Sequence, residues 1–92
     1  MINAKITKIR KKLDKLDDKF LNLIKKRTLL VNQVLANKKF KKEIVDKKRI
    51  KIILKNINLK SKRKGIDKDI TKKIWISMIR AFINYEYKNF KK

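Results

Sequence analysis

The sequence predicts an all-α fold with three helices per chain, of which the first is long. A 3.5-residue repeat of apolar side chains runs without interruption through the first third of the chain. The 92 residues contain no proline and one glycine, Gly65, and the tight turns of β-rich folds draw on both residue types. A chain of this length corresponds to one domain. We therefore expect a single helical domain over residues 1–92.

The first helix is predicted to run from near Ile2 to near Lys38. Its apolar repeat consists of Ile2, Ile6, Ile9, Leu13, Leu16, Phe20, Leu23, Arg27, Leu30 and Val34. A helix of about 35 residues is roughly 50 Å long, whereas a compact monomer of this size has a radius of gyration of roughly 12 Å. One chain cannot cover such a helix along its full length, so we predict a homodimer.

Two shorter helices are predicted after a loop at residues 39–45. Asp46 stands at an N-cap position for the second helix. The polar segment 60–65 ends at Gly65, a residue typical of helix C-termini, and Asp67 is placed to cap the third helix. The second helix presents Arg49, Ile50, Ile53 and Ile57 on one face. The third is predicted to bury Ile70, Ile74, Met78, Ala81 and Tyr85, with Trp75, Ile79, Phe82 and Glu86 on a neighbouring face.

The net charge of +22 raises the question of nucleic-acid binding. Of the 30 basic residues, 25 are lysines, and they are spread along the whole chain rather than gathered in one arm or stripe. Lysine, isoleucine and asparagine are all in excess, and all three have A- and T-rich codons. A nucleic-acid module needs a localised basic surface with base-reading side chains. We therefore attribute the charge to genome composition and expect no specific nucleic-acid partner.

Absent residue types narrow the chemistry further. The chain has no cysteine and no histidine, which excludes disulfides, thiolate nucleophiles and the commonest general base and metal ligand. No histidine is available to activate a serine or threonine, so covalent catalysis is not expected. No apolar run approaches the ~20 residues of a membrane span. We expect a cytoplasmic protein without metal, cofactor or membrane contact, whose chemistry, if any, works by positioning and electrostatics.

A few polar residues stand where the pattern calls for something apolar. Arg27 lies inside the apolar repeat, where a guanidinium needs an anionic partner. That partner is either an acid of the chain, such as Asp46, or a bound carboxylate, and the sequence favours neither. Lys38 lies three helical turns further on, on the same side as Arg27. It either serves the same site as Arg27 or is one more solvated lysine. Arg10 either forms a surface pair with Asp17 or serves a site.

Two further candidates lie in the later helices. Asp46 and Arg49 are spaced to share the first turn of the second helix, where a cap with a local ion pair is the structural alternative to a binding role. Glu86 follows Trp75 and Phe82 on one stripe of the third helix.

Taken together, these residues resemble the all-helical class of chorismate mutases over about residues 5–88. The resemblance is carried by Arg10, by KLDKLDDKFLNLIKKR ending at Arg27, by Lys38, by IVDKKR with Asp46 and Arg49, and by IWISMIRAFINYE ending at Glu86. It implies an intertwined homodimeric bundle of three-helix chains in which the long first helices pair. It also implies two identical pockets, each completed by an arginine of the other subunit.

The resemblance assigns a role to each basic candidate. Arg27 is expected to bind one carboxylate of the substrate chorismate, and Arg10 from the other subunit is expected to bind the second. Arg49 is expected to support the carboxylate side of the pocket. Lys38 is expected to hydrogen-bond the ether oxygen whose bond breaks.

The acidic candidates take the remaining roles that the resemblance implies. Glu86 is expected to share the ether oxygen, and Asp46 to hold the ring hydroxyl. The implied reaction is the Claisen rearrangement of chorismate to prephenate, which needs no nucleophile, metal or cofactor.

Two positions of the pocket wall depart from the mutase pattern. Ile50 stands where mutases of this class commonly have glutamate, and Phe82 stands where a small polar residue is frequent. Both also resemble the isochorismate pyruvate lyases, which use the same scaffold on isochorismate, whereas Asp46 favours the mutase. The remaining alternative is a non-catalytic helical dimer that binds an anionic metabolite or nucleic acid, against which the complete arginine and lysine set argues.

Overall fold

The computed structural model describes residues 3–91, all of whose regular elements are helical. They are α1 (Ala4–Ala36), a short 3₁₀ turn (Lys41–Glu43), α2 (Lys47–Arg63) and α3 (Lys68–Asn89). The chain divides into two compact units at the step from Val31 to Asn32. The prediction of three helices with a long first helix is confirmed. The predicted repeat position Ile2 lies outside the described residues.

The first unit consists of α1 up to Val31, and its apolar repeat is exposed. Asn3 caps the helix, because its side-chain Oδ1 accepts from the backbone N–H of Lys5 at 2.9 Å. Eight repeat positions of α1 are between 44% and 61% exposed: Ile6, Ile9, Leu13, Leu16, Phe20, Leu23, Leu30 and Val34. An apolar row of this length left in water is unfavourable for a lone chain.

The second unit runs from Asn32 onward and holds the packed part of the chain. Here α2 packs against α3. Among residues 3–91, the buried residues are Leu35, Ile44, Ser61 and Glu86, which are 3% to 8% exposed. Two of these four, Ser61 and Glu86, are polar, so a single chain buries few apolar side chains. Each of the two polar side chains needs a hydrogen-bond partner within the fold.

Carboxylates begin the elements of this unit. The Asp46 side chain accepts from the backbone N–H of Arg49 at 3.0 Å, and Asp67 accepts from Asp69 at 2.8 Å. Both predicted N-caps are confirmed. Glu43 accepts from the backbone N–H of Lys39 at 2.8 Å and so closes the 3₁₀ turn, which adds local order to the segment predicted as a loop.

The junction between α2 and α3 is a left-handed turn at Gly65. α2 continues to Arg63 and so includes the first four residues of the segment predicted as its polar stop. Gly65 has φ +67°, and the backbone N–H groups of Gly65 and Ile66 donate to the carbonyls of Lys62 and Ser61 at 3.2 and 2.9 Å. This is the Schellman pattern that ends many helices at glycine.

We expect Gly65→Ala to lower the free energy of unfolding by about 1 kcal/mol, because a Cβ is strained at this φ. No heavy atom lies within 4 Å of the Cβ position, so the loss is one of backbone strain alone. Gly65→Asn is the control, since asparagine adopts left-handed backbone more readily. Denaturant unfolding measures both variants, and an equal loss in both contradicts this explanation.

The buried face of α3 differs from the predicted one. Ile70 and Ile74 are 56% and 40% exposed, and Ala81 is also exposed, whereas Met78 and Tyr85 are half-buried. The predicted neighbouring face is the packed one: Trp75, Ile79 and Phe82 are half-buried and Glu86 is buried. α3 is apolar around much of its circumference, so packing against α2, rather than periodicity, selects the buried stripe. Among residues 3–91, no helix has the length and apolarity that a bilayer span requires.

Candidate active site

A partly buried ion pair between Lys38 and Glu86 forms the centre of the site. Lys38 follows the end of α1, and its Nζ donates to Glu86 Oε1 at 2.9 Å. The side chains are 17% and 9% exposed. Charge-assisted hydrogen bonds of this length are about twice as strong as neutral ones, and the low exposure limits screening by water. The pair therefore holds the end of α1 and the C-terminal half of α3 together.

The segment between α1 and α2 supplies the rest of this environment. The Ile44 carbonyl oxygen lies 3.5 Å from Lys38 Nζ. Ile44 is 3% exposed and Leu35 is 8% exposed. Burial of these two apolar side chains positions the backbone on either side of Lys38, so the ammonium meets a carbonyl and a carboxylate at once.

The start of α2 carries three further candidates. Asp46 is exposed, and its carboxylate accepts the backbone N–H of Arg49 as the cap of α2. Arg49 is exposed and Ile50 is half-buried. The structural role of Asp46 is confirmed. Its expected contact with a substrate hydroxyl, and that of Arg49 with a carboxylate, stay predictions.

Phe82 lies one turn before Glu86 on α3. Its ring is half-buried and meets the ring of Tyr85 edge to face, with centroids 6.4 Å apart and an interplanar angle of 79°. This arrangement is favourable for aromatic pairs. The two rings therefore form an aromatic surface on α3, and both residues are close in sequence to Glu86.

The two arginines of α1 belong to the first unit. Arg10 is exposed, and Arg27 is half-buried within the otherwise exposed apolar row. The burial of Arg27 sets it apart from most arginines, which are mostly exposed. The roles predicted for both side chains stay predictions.

Sequence analysis missed two hydrogen-bonded pairs of the second unit. Tyr85 Oη donates to Asn32 Oδ1 at 2.7 Å. Ser61 Oγ donates to the Ile57 carbonyl at 2.6 Å and lies 2.7 Å from Thr71 Oγ1, across the α2–α3 contact. Ser61 continues the apolar row of Ile50, Ile53 and Ile57 at helical spacing, a signal for its burial. Nothing in the sequence distinguishes Asn32 from the other asparagines.

The chemistry of this arrangement is that of hydrogen bonds and charge. Lys38 supplies N–H donors on a fixed cation, and Glu86 accepts when ionised and donates when protonated. Within residues 3–91, no group of three acidic side chains is arranged to hold a metal ion. The site is suited to bind and polarise an oxygen atom of a bound molecule.

Comparison with known families gives one match. The family model described as chorismate mutase type II matches residues 9–87. The matched segment contains every candidate residue from Arg10 to Glu86 and nearly all of the three helices. No curated protein and no solved structure matches the chain.

Proposed function

The chain belongs to the chorismate mutase type II family, and from this premise we propose that it converts chorismate to prephenate. The observation that carries the proposal is the partly buried Lys38–Glu86 pair, in which the Nζ and Oε1 atoms are 2.9 Å apart. A cation and a carboxyl group at this separation both lie within reach of a single substrate oxygen.

The reaction is an intramolecular rearrangement. Within one substrate molecule, the ether carbon–oxygen bond breaks while a carbon–carbon bond forms, so no atom is gained or lost. The protein's contribution is to hold the reactive chair-like conformer and to stabilise the electron density that the ether oxygen gains. The absence of cysteine and histidine from the sequence is compatible with this chemistry.

Lys38 and Glu86 act together at the ether oxygen in this proposal. That oxygen only accepts hydrogen bonds, so both side chains must donate. Lys38 donates in its charged form. In the ligand-free chain Glu86 accepts from Lys38, and it becomes a donor only when it is protonated. Substrate binding therefore replaces the direct ion pair with two hydrogen bonds to one oxygen.

The other polar candidates bind the rest of the substrate. Arg27, half-buried on α1, grips one carboxylate with its two-point fork. Arg10 of the other subunit binds the second carboxylate, and Arg49 supports that side. Asp46 accepts from the ring hydroxyl while its other oxygen caps α2.

We further propose that the active form is an intertwined homodimer in which the α1 helices pair. The eight repeat positions that are 44–61% exposed support this pairing, because a second α1 is the partner that a 3.5-residue repeat matches. The thin core of the single chain supports it as well.

The dimer proposal predicts a complementation result. Arg10→Ala and Arg27→Ala chains are each expected to be inactive, but heterodimers refolded from their mixture contain one intact pocket of two. Random pairing of equal amounts then restores about a quarter of the wild-type activity. Sedimentation of the wild type at micromolar concentration is the companion measurement. A folded monomer there, or no regained activity, contradicts the shared site.

The second candidate function is that of an isochorismate pyruvate lyase. The observation that favours it is that Ile50 and Phe82, at positions where mutases commonly carry polar residues, are half-buried apolar side chains. Asp46, free to accept from a hydroxyl with one oxygen, favours the mutase.

One experiment separates the candidates. The purified protein is supplied with chorismate and with isochorismate in separate reactions, and products are identified by NMR. Prephenate from chorismate supports the mutase, whereas pyruvate with salicylate from isochorismate supports the lyase. Turnover of neither substrate supports a non-catalytic helical dimer.

A further inference from the structure

A second side-chain contact joins the end of α1 to α3 beside the ion pair. Tyr85 Oη donates to Asn32 Oδ1 at 2.7 Å. Tyr85 directly precedes Glu86 on α3, and Asn32 precedes Lys38 by less than two helical turns. The Tyr85–Asn32 and Glu86–Lys38 contacts therefore both join the C-terminal end of α1 and the residues that follow it to the C-terminal half of α3.

The Tyr85 side chain is itself well held. Its ring meets the Phe82 ring edge to face, with centroids 6.4 Å apart. The Asn89 Nδ2 group donates to the backbone carbonyl of Tyr85 at 2.8 Å, which stabilises the end of α3 rather than the ring. The half-buried Tyr85 ring already has restricted rotamers, so it loses little further conformational entropy when its hydroxyl donates to Asn32. The hydrogen bond therefore restricts the position of α3 rather than that of a mobile side chain.

Helix geometry couples Tyr85 to Glu86. Successive residues of an α-helix are related by a rotation of about 100° and a rise of 1.5 Å. A roll or slide of α3 that displaces the Tyr85 hydroxyl relative to Asn32 therefore also displaces the Glu86 carboxyl relative to Lys38. A displacement of about 1 Å at a reacting group is enough to cost up to 100-fold in rate.

We propose that Tyr85, through its hydrogen bond to Asn32, is a positioning residue that sets the placement of Glu86 at the substrate oxygen. This inference rests on the proposed mutase function. Tyr85 acts through Glu86 and contacts no substrate.

The test is a double-mutant cycle on kcat. Tyr85→Phe keeps the ring and removes the hydroxyl, and it is expected to lower kcat about 3- to 30-fold with KM changed less than about twofold. In a Glu86→Ala background the same substitution is expected to leave kcat unchanged, because the group that it positions is gone. A fall of equal size in both backgrounds overturns the proposal.

Matched variants separate the hydrogen bond from general effects. Tyr87→Phe removes a hydroxyl two residues away on the same helix, where the ring is 40% exposed, and should leave kcat unchanged. Asn32→Leu should reproduce the effect of Tyr85→Phe, whereas Asn32→Asp retains an oxygen acceptor and should keep most of the activity. If Tyr87→Phe matches Tyr85→Phe, the positioning role is wrong.

A readout without turnover distinguishes this inference from the proposed function. The ¹³C resonance of the Glu86 carboxyl reports its contact with Lys38 in the free protein. Tyr85→Phe is expected to shift it in the wild-type background but not in Lys38→Met. If Tyr85→Phe shifts the resonance but the wild type forms no prephenate, the positioning contact is supported and the mutase function is rejected. If Tyr85→Phe leaves the resonance unchanged, the positioning contact is rejected.

Discussion

Arg27→Lys is expected to lower kcat/KM for chorismate by about 30- to 1000-fold. This corresponds to about 2–4 kcal/mol, the usual cost of removing one preorganised donor from a transition state. Lysine keeps the positive charge but cannot present two parallel N–H groups to a carboxylate. Arg27 is half-buried within the apolar row of α1, and the proposed pairing of the α1 helices would bury it further, where the loss of a two-point contact costs more than at an exposed position.

Arg63→Lys is the matched control for this substitution. Arg63 is an exposed residue at the last position of α2, and its exchange should leave kcat/KM within about twofold, as is usual for surface substitutions. Initial rates across chorismate concentrations measure both variants. Near-normal activity of Arg27→Lys instead makes Arg27 a structural residue that pairs within the protein.

The second large effect concerns Glu86→Gln. In the free chain Glu86 accepts from Lys38, and a carboxylate that only accepts cannot donate to the ether oxygen. A glutamine amide donates at every pH, so Glu86→Gln is expected to exceed the wild type in kcat/KM for chorismate at pH 8 and to have the flatter pH profile. The expected gain is at most about 100- to 1000-fold, the usual worth of one preorganised donor.

Glu43→Gln provides the matched control, since it makes the same exchange at a carboxylate that accepts from the Lys39 backbone N–H. Its pH profile should follow that of the wild type. The profiles are measured as kcat/KM in buffers of constant ionic strength. A wild-type profile that Glu86→Gln leaves unaltered removes Glu86 from the ether oxygen, and complete inactivity of that variant indicates a carboxylate role and a different reaction.

Local signals made most of the fold predictable. The uninterrupted repeat predicts α1, and the caps at Asp46 and Asp67 and the turn at Gly65 each depend on residues within a few positions of one another. The buried face of α3 was not predictable in this way. Ile70 and Trp75 compete for the same core, and only the packing against α2 decides between them.

The site too was predictable only in part. Most of its candidate residues were predicted from their positions in the helical pattern, and a family resemblance gave them their roles. The structure adds that Lys38 Nζ and Glu86 Oε1 lie 2.9 Å apart although 48 residues separate them in sequence. Asn32 went unnoticed because its role depends on a tyrosine 53 residues away. Contacts of that range are set by how helices pack, which no periodicity in one segment encodes.

The small number of carboxylates has a consequence for how the protein responds to ionic strength. The chain has eight acidic residues against 30 basic ones, and the carboxylates that cap α2 and α3 keep their charge while they accept backbone N–H groups. Each chain of a dimer would therefore repel the other with a net charge of +22. Salt screens this repulsion over about 10 Å at 0.1 M, and it equally screens the attraction of a dianionic substrate. At enzyme concentrations low enough to dissociate the proposed dimer, activity should therefore pass through a maximum as salt is added, whereas in concentrated enzyme it should only decline.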